Sequence, residues 1–515
     1  MKKSLVAAGV IIALGAVWTG ASWYTGKQLA EQIDGFTDTL NEQLKKNYPD
    51  SGLKVVYRDY QGGIFSSKLA YVLQTDGTAK GVQFLATGEE IVFNETVSHG
   101  PFPLAQLKKF NLLPAMASVH TEPAKTPAVK AWFELTKDKP FFTADTRVTY
   151  SGDTQSDIKL EPIDYQTPEQ KFTFSGADVL LDVGRDLRSS KLDTTIASLK
   201  MERQNQWGMN EHLDVADLTL KATNQKGKFD LDLGDSSLSL KALTFSVEHS
   251  DPLTLNNFSL HSHATEDDKN LAGKLAVSLE SLTFDNRNLG SGNMNMSISQ
   301  LDGIGAKQFL TAYQEKSQQL LQNAATLDPD VYQHEITMTF LNALPQLLKG
   351  NPSVEISPLS WKNSKGEATF TLALDLTDPL KNADKAAGPA SSDEEKIIRQ
   401  SLKKLDAKLN VPMEMLAELI FQGGPKTSNE EKRKQLAASA QQQVNMIAQS
   451  GEAFQLSVTK DNAITSSLHY ADGQVDFNGN KMPLSDLIGP YFAIPDEGDA
   501  AQPGEQENPV TPPAQ

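Results

Sequence analysis

Apolar and polar residues alternate along most of this chain, and the places where the period changes mark its elements. Ser4 to Tyr24 is a nearly unbroken apolar run with no charged residue between Lys3 and Lys27, long enough to cross about 30 Å of hydrocarbon as a helix. Leu29, Ile33, Phe36, Leu40 and Leu44 then fall on one helical stripe that stops before Tyr48-Pro49-Asp50, which predicts a stalk helix whose stripe packs on the sheet that follows. From Leu53 the period becomes two. Leu53-Lys54-Val55-Val56-Tyr57 runs into Tyr60-Gln61-Gly62-Gly63-Ile64-Phe65-Ser66-Ser67, where the paired glycines allow a bulge or tight turn. Strand signals dominate to about residue 300. Phe229/Leu231/Leu233, Leu238/Leu240, Leu243/Phe245/Val247, Leu275/Val277/Leu279 and Met294/Met296/Ile298 alternate with polar residues, separated by Asp/Asn/Gly/Pro turns. Short one-sided strands of this kind predict an antiparallel meander, not the continuous apolar strands of a parallel α/β sheet, and we expect its apolar face to close as a sandwich core.

Further on, a helical insert is predicted from about Ala306 to Leu348 with a break near Leu327-Asp328-Pro329-Asp330, then a strand pair around Asn363-Ser364-Lys365-Gly366. Ala386 to Ser392 reads as a small-residue linker. Ser392 with Glu395, and Ser428 with Glu431, form capping-box patterns that predict helices carrying Ile398, Leu402, Leu405 and Leu409, and Leu436, Ala440, Val444 and Ile447. A last hairpin is expected from Phe454, Leu456 and Val458 with Asp472-Gly473. Pro495 to Gln515 holds five prolines, five acidic residues and no basic one, a composition that cannot offset its ordering entropy. The fold class is α+β and mostly antiparallel β: membrane anchor 1–26, stalk 27–50, β-rich body 51–300, helical insert 301–352, mixed region 353–494 and disordered tail 495–515.

The bulky Trp18, Trp23 and Tyr24 extend the apolar run past the length of a cleaved signal's core, favouring a retained anchor with its aromatic end in the headgroup layer and Lys2 and Lys3 on the cytoplasmic side. The body is then exported. Gly9, Ala13, Ala16 and Gly20, spaced by four, three and four, form a small-residue face on which two such helices could pair. The 515 residues carry 48 Lys+Arg against 65 Asp+Glu, a net charge of −17, which argues against nucleic-acid binding. Zero cysteines exclude disulfides, thiolate nucleophiles and Cys-bound metals, and suit an oxidising compartment.

Tyr57, Gly62, Gly63, Phe65 and Ser67, His99-Gly100-Pro101 and a late Asn478-Gly479, together with the N-terminal anchor, make the chain resemble the YdgA family of Gram-negative inner-membrane proteins of unknown function, over nearly its whole length. The resemblance implies inner-membrane attachment, a periplasmic body and a homodimer. It implies no substrate. The one-face-apolar strands on a membrane stalk are also similar in pattern, though in no matched motif, to AsmA-like lipid-handling proteins.

Chemistry is sparse. No Gly-x-Ser-x-Gly elbow, phosphate loop or dinucleotide fingerprint occurs, and no catalytic residue, cofactor or metal site is assigned. His334-Glu335 lacks a second metal-spaced His, since Met338 stands there. His261 and His263 on one strand face, with Glu266, Asp267 and Asp268 beyond, have ligand-like spacing, but an exposed hairpin end explains them better. His99, fixed by the Gly-Pro turn after it, is the most distinctive polar residue, and a structural hydrogen bond at a sheet corner is its favoured role. We therefore expect a membrane-anchored, non-enzymatic envelope protein that binds or scaffolds a partner, either another envelope protein or a lipid shielded along its sheet. The competing expectation is an envelope hydrolase assembled around His99.

Overall fold

The computed structural model describes residues 2–48, 51–79, 85–205, 207–321, 329–381, 393–471 and 473–484, with residues 2–16 described by their backbone alone. Helix α1 (Lys2–Asn47) leads into strands β1 (Leu53–Gly62), β2 (Ser66–Thr75) and β3 (Glu90–His99). Helix α2 (Leu104–Lys108), β4 (Ala117–Pro123), helix α3 (Lys130–Leu135), β5 (Phe142–Val148), β6 (Thr154–Leu160), β7 (Ile163–Gln166), β8 (Gln170–Phe174) and β9 (Ala177–Val183) follow. The longest strands come next: β10 (Ser189–Gln204), β11 (Asn210–Lys226), β12 (Asp232–Val247), β13 (Leu253–Glu266), β14 (Asn270–Phe284) and β15 (Arg287–Asp302). Helices α4 (Gly303–Leu321) and α5 (Pro329–Leu347) precede β16 (Ser353–Asn363) and β17 (Gly366–Leu376). The described part ends with α6 (Asp393–Ser401), β18 (Leu402–Pro412), α7 (Met413–Gly423), α8 (Glu430–Ala453), β19 (Val458–Lys460), β20 (Ala463–Ala471), β21 (Gln474–Phe477) and β22 (Asn480–Pro483).

Among the described residues all 22 strands belong to one sheet, and every pairing is antiparallel. Neighbours follow chain order apart from two detours: β6 pairs with β9 while the β7–β8 hairpin lies beside β9 along the edge of β10, and β18 pairs with β20, leaving β19 on the far edge of β20 next to β21. Asn41 of α1 closes the outer border at β1: its Oδ1 accepts from the Val55 amide at 2.7 Å and its Nδ2 donates to the Val55 carbonyl at 2.8 Å.

Because directly opposed residues share a face, the register defines one apolar face across the sheet. A single row runs through Ala144, Ile158, Val179, Thr194, Leu220, Leu238, Leu260, Val277, Met294, Leu359, Phe370 and Leu409, one residue from each of twelve strands. At about 4.8 Å per strand it is roughly 50 Å long. The apolar positions jump in phase partway along several strands, from Leu213/Val215 to Leu218/Leu220 and from Leu253/Leu255 to Phe258/Leu260. Asp217 (φ 49°) and Asn257 (φ 47°) sit at these jumps, and the pairing register runs through them unbroken, so neighbouring strands change phase at the same level and their apolar side chains return to the same face.

Four helical elements pack on that face, among them α6, whose Ile398 joins Leu402, Leu405 and Tyr470. Leu29 and Ile33 of α1 meet Leu69, Val97 and Ala117. Ala306 and Leu347 of α4 and α5 meet Leu231, Leu271 and Leu301 at one end of the strands. Met413, Ala417, Val444 and Ala448 of α7 and α8 meet Val411 and Ile464 at the other. The middle of the row is uncovered: Leu220, Leu238, Leu260 and Val277 remain partly exposed, and Leu359 and Leu409 are 44% and 37% exposed. The expected sandwich core is therefore absent, since a single sheet has no second sheet to close on.

The α+β, mainly antiparallel class and the helical insert are as expected, and the stalk stripe does pack on the sheet. Other expectations need correction. Anchor and stalk form one uninterrupted helix. Leu402, Leu405 and Leu409 lie on β18, not on a helix, because Leu405, Ala407, Leu409 and Val411 alternate with Lys404, Asp406, Lys408 and Asn410 and fill the free edge of β17. Asn429, not Ser428, caps α8, accepting from the amides of Glu431 and Lys432. Phe454 ends α8 and stands exposed, and Leu456 is not in a strand. The linker at 386–392 and the tail at 495–515 lie outside the described residues. Among the described residues no helix is long and apolar enough to cross a membrane, and most of the run from Ser4 to Tyr24 falls where only the backbone is described.

Candidate functional site

The motif residues dispersed through the sequence meet in space. Gly63 opens the turn between β1 and β2, where a Cβ would stand 2.8 Å from the Ser66 carbonyl oxygen. The turn brings Phe65 and Ser67 alongside the last residue of β3, whose backbone amide donates to the Phe65 carbonyl at 2.9 Å. That residue is His99, only 2% exposed. Its Nδ1 lies 3.0 Å from the Ile64 carbonyl oxygen and its Nε2 lies 2.8 Å from Ser67 Oγ. A carbonyl can only accept, so the ring proton sits on Nδ1 and the bare Nε2 accepts from the Ser67 hydroxyl. Tyr60 Oη, 3.4 Å from Ser67 Oγ, extends the chain of polar groups toward solvent.

Gly100 and Pro101, joined by a cis peptide, turn the chain out of β3. A Cβ on Gly100 would overlap the Ala115 carbonyl, so only glycine allows this close approach. Helix α1 seals the assembly. A Cβ on Gly26 would overlap the His99 ring, Thr25 Oγ1 donates to the Gly100 carbonyl at 3.1 Å, and the Trp18 ring lies 5.2 Å from that of Phe65. Thr25 and Gly26 are the members of this joint that sequence reasoning missed; a Thr-Gly pair inside an otherwise continuous helix was the available signal. Tyr57 stands apart on β1, where a hydrogen bond from its hydroxyl to the Asp34 carboxylate raises its pKa.

Ser67 and His99 have the hydrogen-bond polarity of a nucleophile and base, but the imidazole is oriented by a backbone carbonyl where such pairs use a carboxylate, and both residues are buried beneath α1. The arrangement holds a helix to a sheet and offers no room for a substrate. Farther along the same side of α1, Glu95 is buried and its two carboxylate oxygens accept from Thr121 Oγ1 at 3.0 and 2.8 Å. Burial lifts its pKa from 4.5 to about 7, against the opposing pull of the Thr121 hydrogen bond and of His120.

The remaining candidates are separate. His261 and His263 share the polar face of β13 beside a shallow concavity of about 480 Å³, but His263 Nδ1 pairs with Asp235 at 2.8 Å. Glu266 accepts from the Lys228 amide, Asp268 pairs with Lys228 Nζ, and Asp267 ties the turn. Among the described residues no cluster of three His, Asp or Glu is arranged to hold a metal. On α1, Gly20 has open space around it, while the side chains of Gly9, Ala13 and Ala16 lie outside the described residues.

Residues 1–485 match the family described as bacterial protein of unknown function (DUF945). The chain belongs to that family. It is 38% identical over 498 residues to Protein YdgA of Escherichia coli (strain K12), spanning 96% of this chain and 97% of that one. It is also 24% identical over 493 residues to the uncharacterized protein YihF of the same organism, covering 94% and 97% of the two chains. An uncharacterized protein of Haemophilus influenzae is 24% identical over 326 residues, 60% of this chain and 85% of its own. The YdgA-family resemblance read from the motifs is thus established. No solved structure matches the chain.

Two outcomes follow from the joint. His99→Ala strands the Ser67 hydroxyl and the Ile64 carbonyl in a buried site, and the full-length protein should lose about 2–4 kcal/mol in urea unfolding; Gly26→Leu should cost a similar amount by forcing α1 off the ring. A Glu95 with a raised folded-state pKa supports the fold while it is protonated, an effect fully present below 4.5 and lost as pH rises through about 7. The wild type should lose about 3 kcal/mol across that window, and Glu95→Gln should flatten the dependence in unfolding curves taken at pH 5 and pH 8.

Proposed function

We propose that this protein is an inner-membrane-anchored periplasmic binding protein, without enzymatic activity, that shields the acyl chains of a lipid along the uncovered apolar face of its sheet. The observation that carries the reading is the twelve-residue, largely apolar row, whose middle is flanked by helices at both strand ends and overlain by none among the described residues. Leaving that much apolar surface in water costs about 25 cal/mol for each Å², and exposed apolar patches of this size mark interaction surfaces. The polar face behind it, with His261, His263 and Lys274, faces solvent and gives the protein its solubility. The apolar run from Ser4 to Tyr24, with Lys2 and Lys3 before it and α1 continuous through it, supports retention in the membrane with the body outside the cytoplasm. We read His99 as the clamp that fixes the helix to the sheet, because its ring nitrogens are both engaged and covered.

The test is photo-crosslinking in cells with p-benzoylphenylalanine in place of Leu260 or, on the opposite face, His261. Lipid adducts at 260 and none at 261 are expected; absence of lipid at 260, with protein adducts there instead, rejects the lipid reading. Self-association through the small-residue face of α1 is a second part of the proposal, supported by the open space around Gly20. Ala13→Leu with Ala16→Leu should abolish the crosslinked homodimer of the full-length protein, and a dimer of undiminished yield excludes that face.

A further inference from the structure

The membrane-proximal end of the body carries an apolar tip that the fold does not use. Ile64 in the β1–β2 turn is 48% exposed, and the connection from β3 to β4 presents Phe102, Leu104, Phe110, Leu112 and Leu113 at 38%, 39%, 91%, 69% and 61%. Both segments lie at the same end of the sheet, since Ser66 pairs with Ser98 and His99 with Ala117. Phe110 adopts a left-handed backbone (φ 58°), a conformation a bulky L-residue takes only when surroundings impose it. Here the strain directs its ring out of the protein.

The level of this tip along α1 identifies what it meets. The helix touches the body from Trp18, whose ring packs on Phe65, through Ser22, which is fully buried, to Thr25 and Gly26. Lys27 is the first charged residue after the apolar run. At about 1.5 Å per residue, Trp18 lies about 13 Å below Lys27 along the helix axis, so the turn beside it is at a depth where the helix itself is still apolar. Around the tip stand Lys108, exposed, Lys109, paired with Asp145 at 2.9 Å, and Arg147, bonded to the Pro114 carbonyl; Asp153 is the acidic residue of the neighbouring turn. With Asp145 pairing Lys109 and Asp153 beside them, the three basic side chains leave a small positive excess at the tip, of the sign that suits an anionic headgroup layer.

We propose that the Gly63–Phe65 turn and the loop 100–115 insert into the outer headgroup and upper acyl layer of the bilayer that α1 spans, making the body a second point of membrane contact. This rests on the reading of α1 as an anchor. The sheet is then held at a fixed height and angle, with its first strands standing on the lipid surface.

The absence of cysteine makes a clean test available. Full-length Val17→Cys, Phe110→Cys, Leu112→Cys and, at the far end of the body, Lys130→Cys would each be labelled with NBD and reconstituted into phosphatidylethanolamine/phosphatidylglycerol vesicles containing doxyl lipids. Quenching at 110 and 112 should reach at least half of that at 17, with none at 130. Quenching at 17 but not at 110 or 112 overturns the inference while leaving the anchor intact, and is also the outcome if the tip serves a protein partner. No quenching at 17 rejects the anchor itself. Phe110→Asp with Leu112→Asp should abolish quenching at a label on Leu113→Cys without shifting the melting temperature, because neither side chain packs inside the body; a large melting shift would instead make the tip structural.

Discussion

Everything in this architecture depends on keeping one face of a very wide sheet apolar. Side chains alternate with a period of two, so a slip of a single residue in any strand would turn its apolar set toward the polar face and interrupt the row. At Asp217 and Asn257 the backbone turns to positive φ, and the apolar pattern shifts by one residue at the same place while the pairing register stays unbroken. The neighbouring jumps, from Leu240 to Leu243 in β12 and from Leu279 to Leu282 in β14, lie beside them in the ladder. The phase change is aligned across adjacent strands, which is why it leaves their register intact.

The helices divide the apolar face of the row among themselves, while the first strands also bury Ala70, Val72 and Val92 on their other side. The first takes the strands nearest the chain start, the α4–α5 hairpin one end of the long strands and the α7–α8 pair the other. The joint between α1 and the sheet differs from the other helix contacts in being polar at its centre. A buried imidazole with both nitrogens engaged has a defined orientation and tolerates no sliding, whereas the apolar contacts of Leu29 and Ile33 would allow the helix to shift by part of a turn. Hydrogen bonds at His99 and Thr25 set position, and apolar packing supplies most of the stability.

Period two was readable wherever apolar and polar residues alternate without interruption, as at Phe370, Leu372 and Leu374, and the antiparallel class followed from it. Leu402, Leu405 and Leu409 misled because spacings of three and four also fit a helix and a capping pattern stood just upstream; only the vacant edge of β17 decides in favour of a strand. The missing second layer was not legible, since a strand facing a cavity, a lipid or another sheet has the same alternation. For the His99 site, the participating types were visible but their meeting was not: Gly26 and Ser67 are separated from His99 by 73 and 32 residues, and nothing in the local pattern of a membrane-entering helix announces that its glycine will lie against a histidine.

One small contact has a broader consequence. A sheet whose first strand is bare offers unpaired amides and carbonyls to any other extended chain, and so invites end-to-end polymerisation. Asn41 occupies those groups at Val55 with its own amide, and the positive-φ Asp59 distorts the strand just beyond. The helix that carries Asn41 thus acts as a terminator: it imitates the strand that would come next and, being a helix, passes on no edge for another to copy. A protein built almost wholly from stacked strands is in this way kept from becoming the seed of a fibre at the border where its sheet begins.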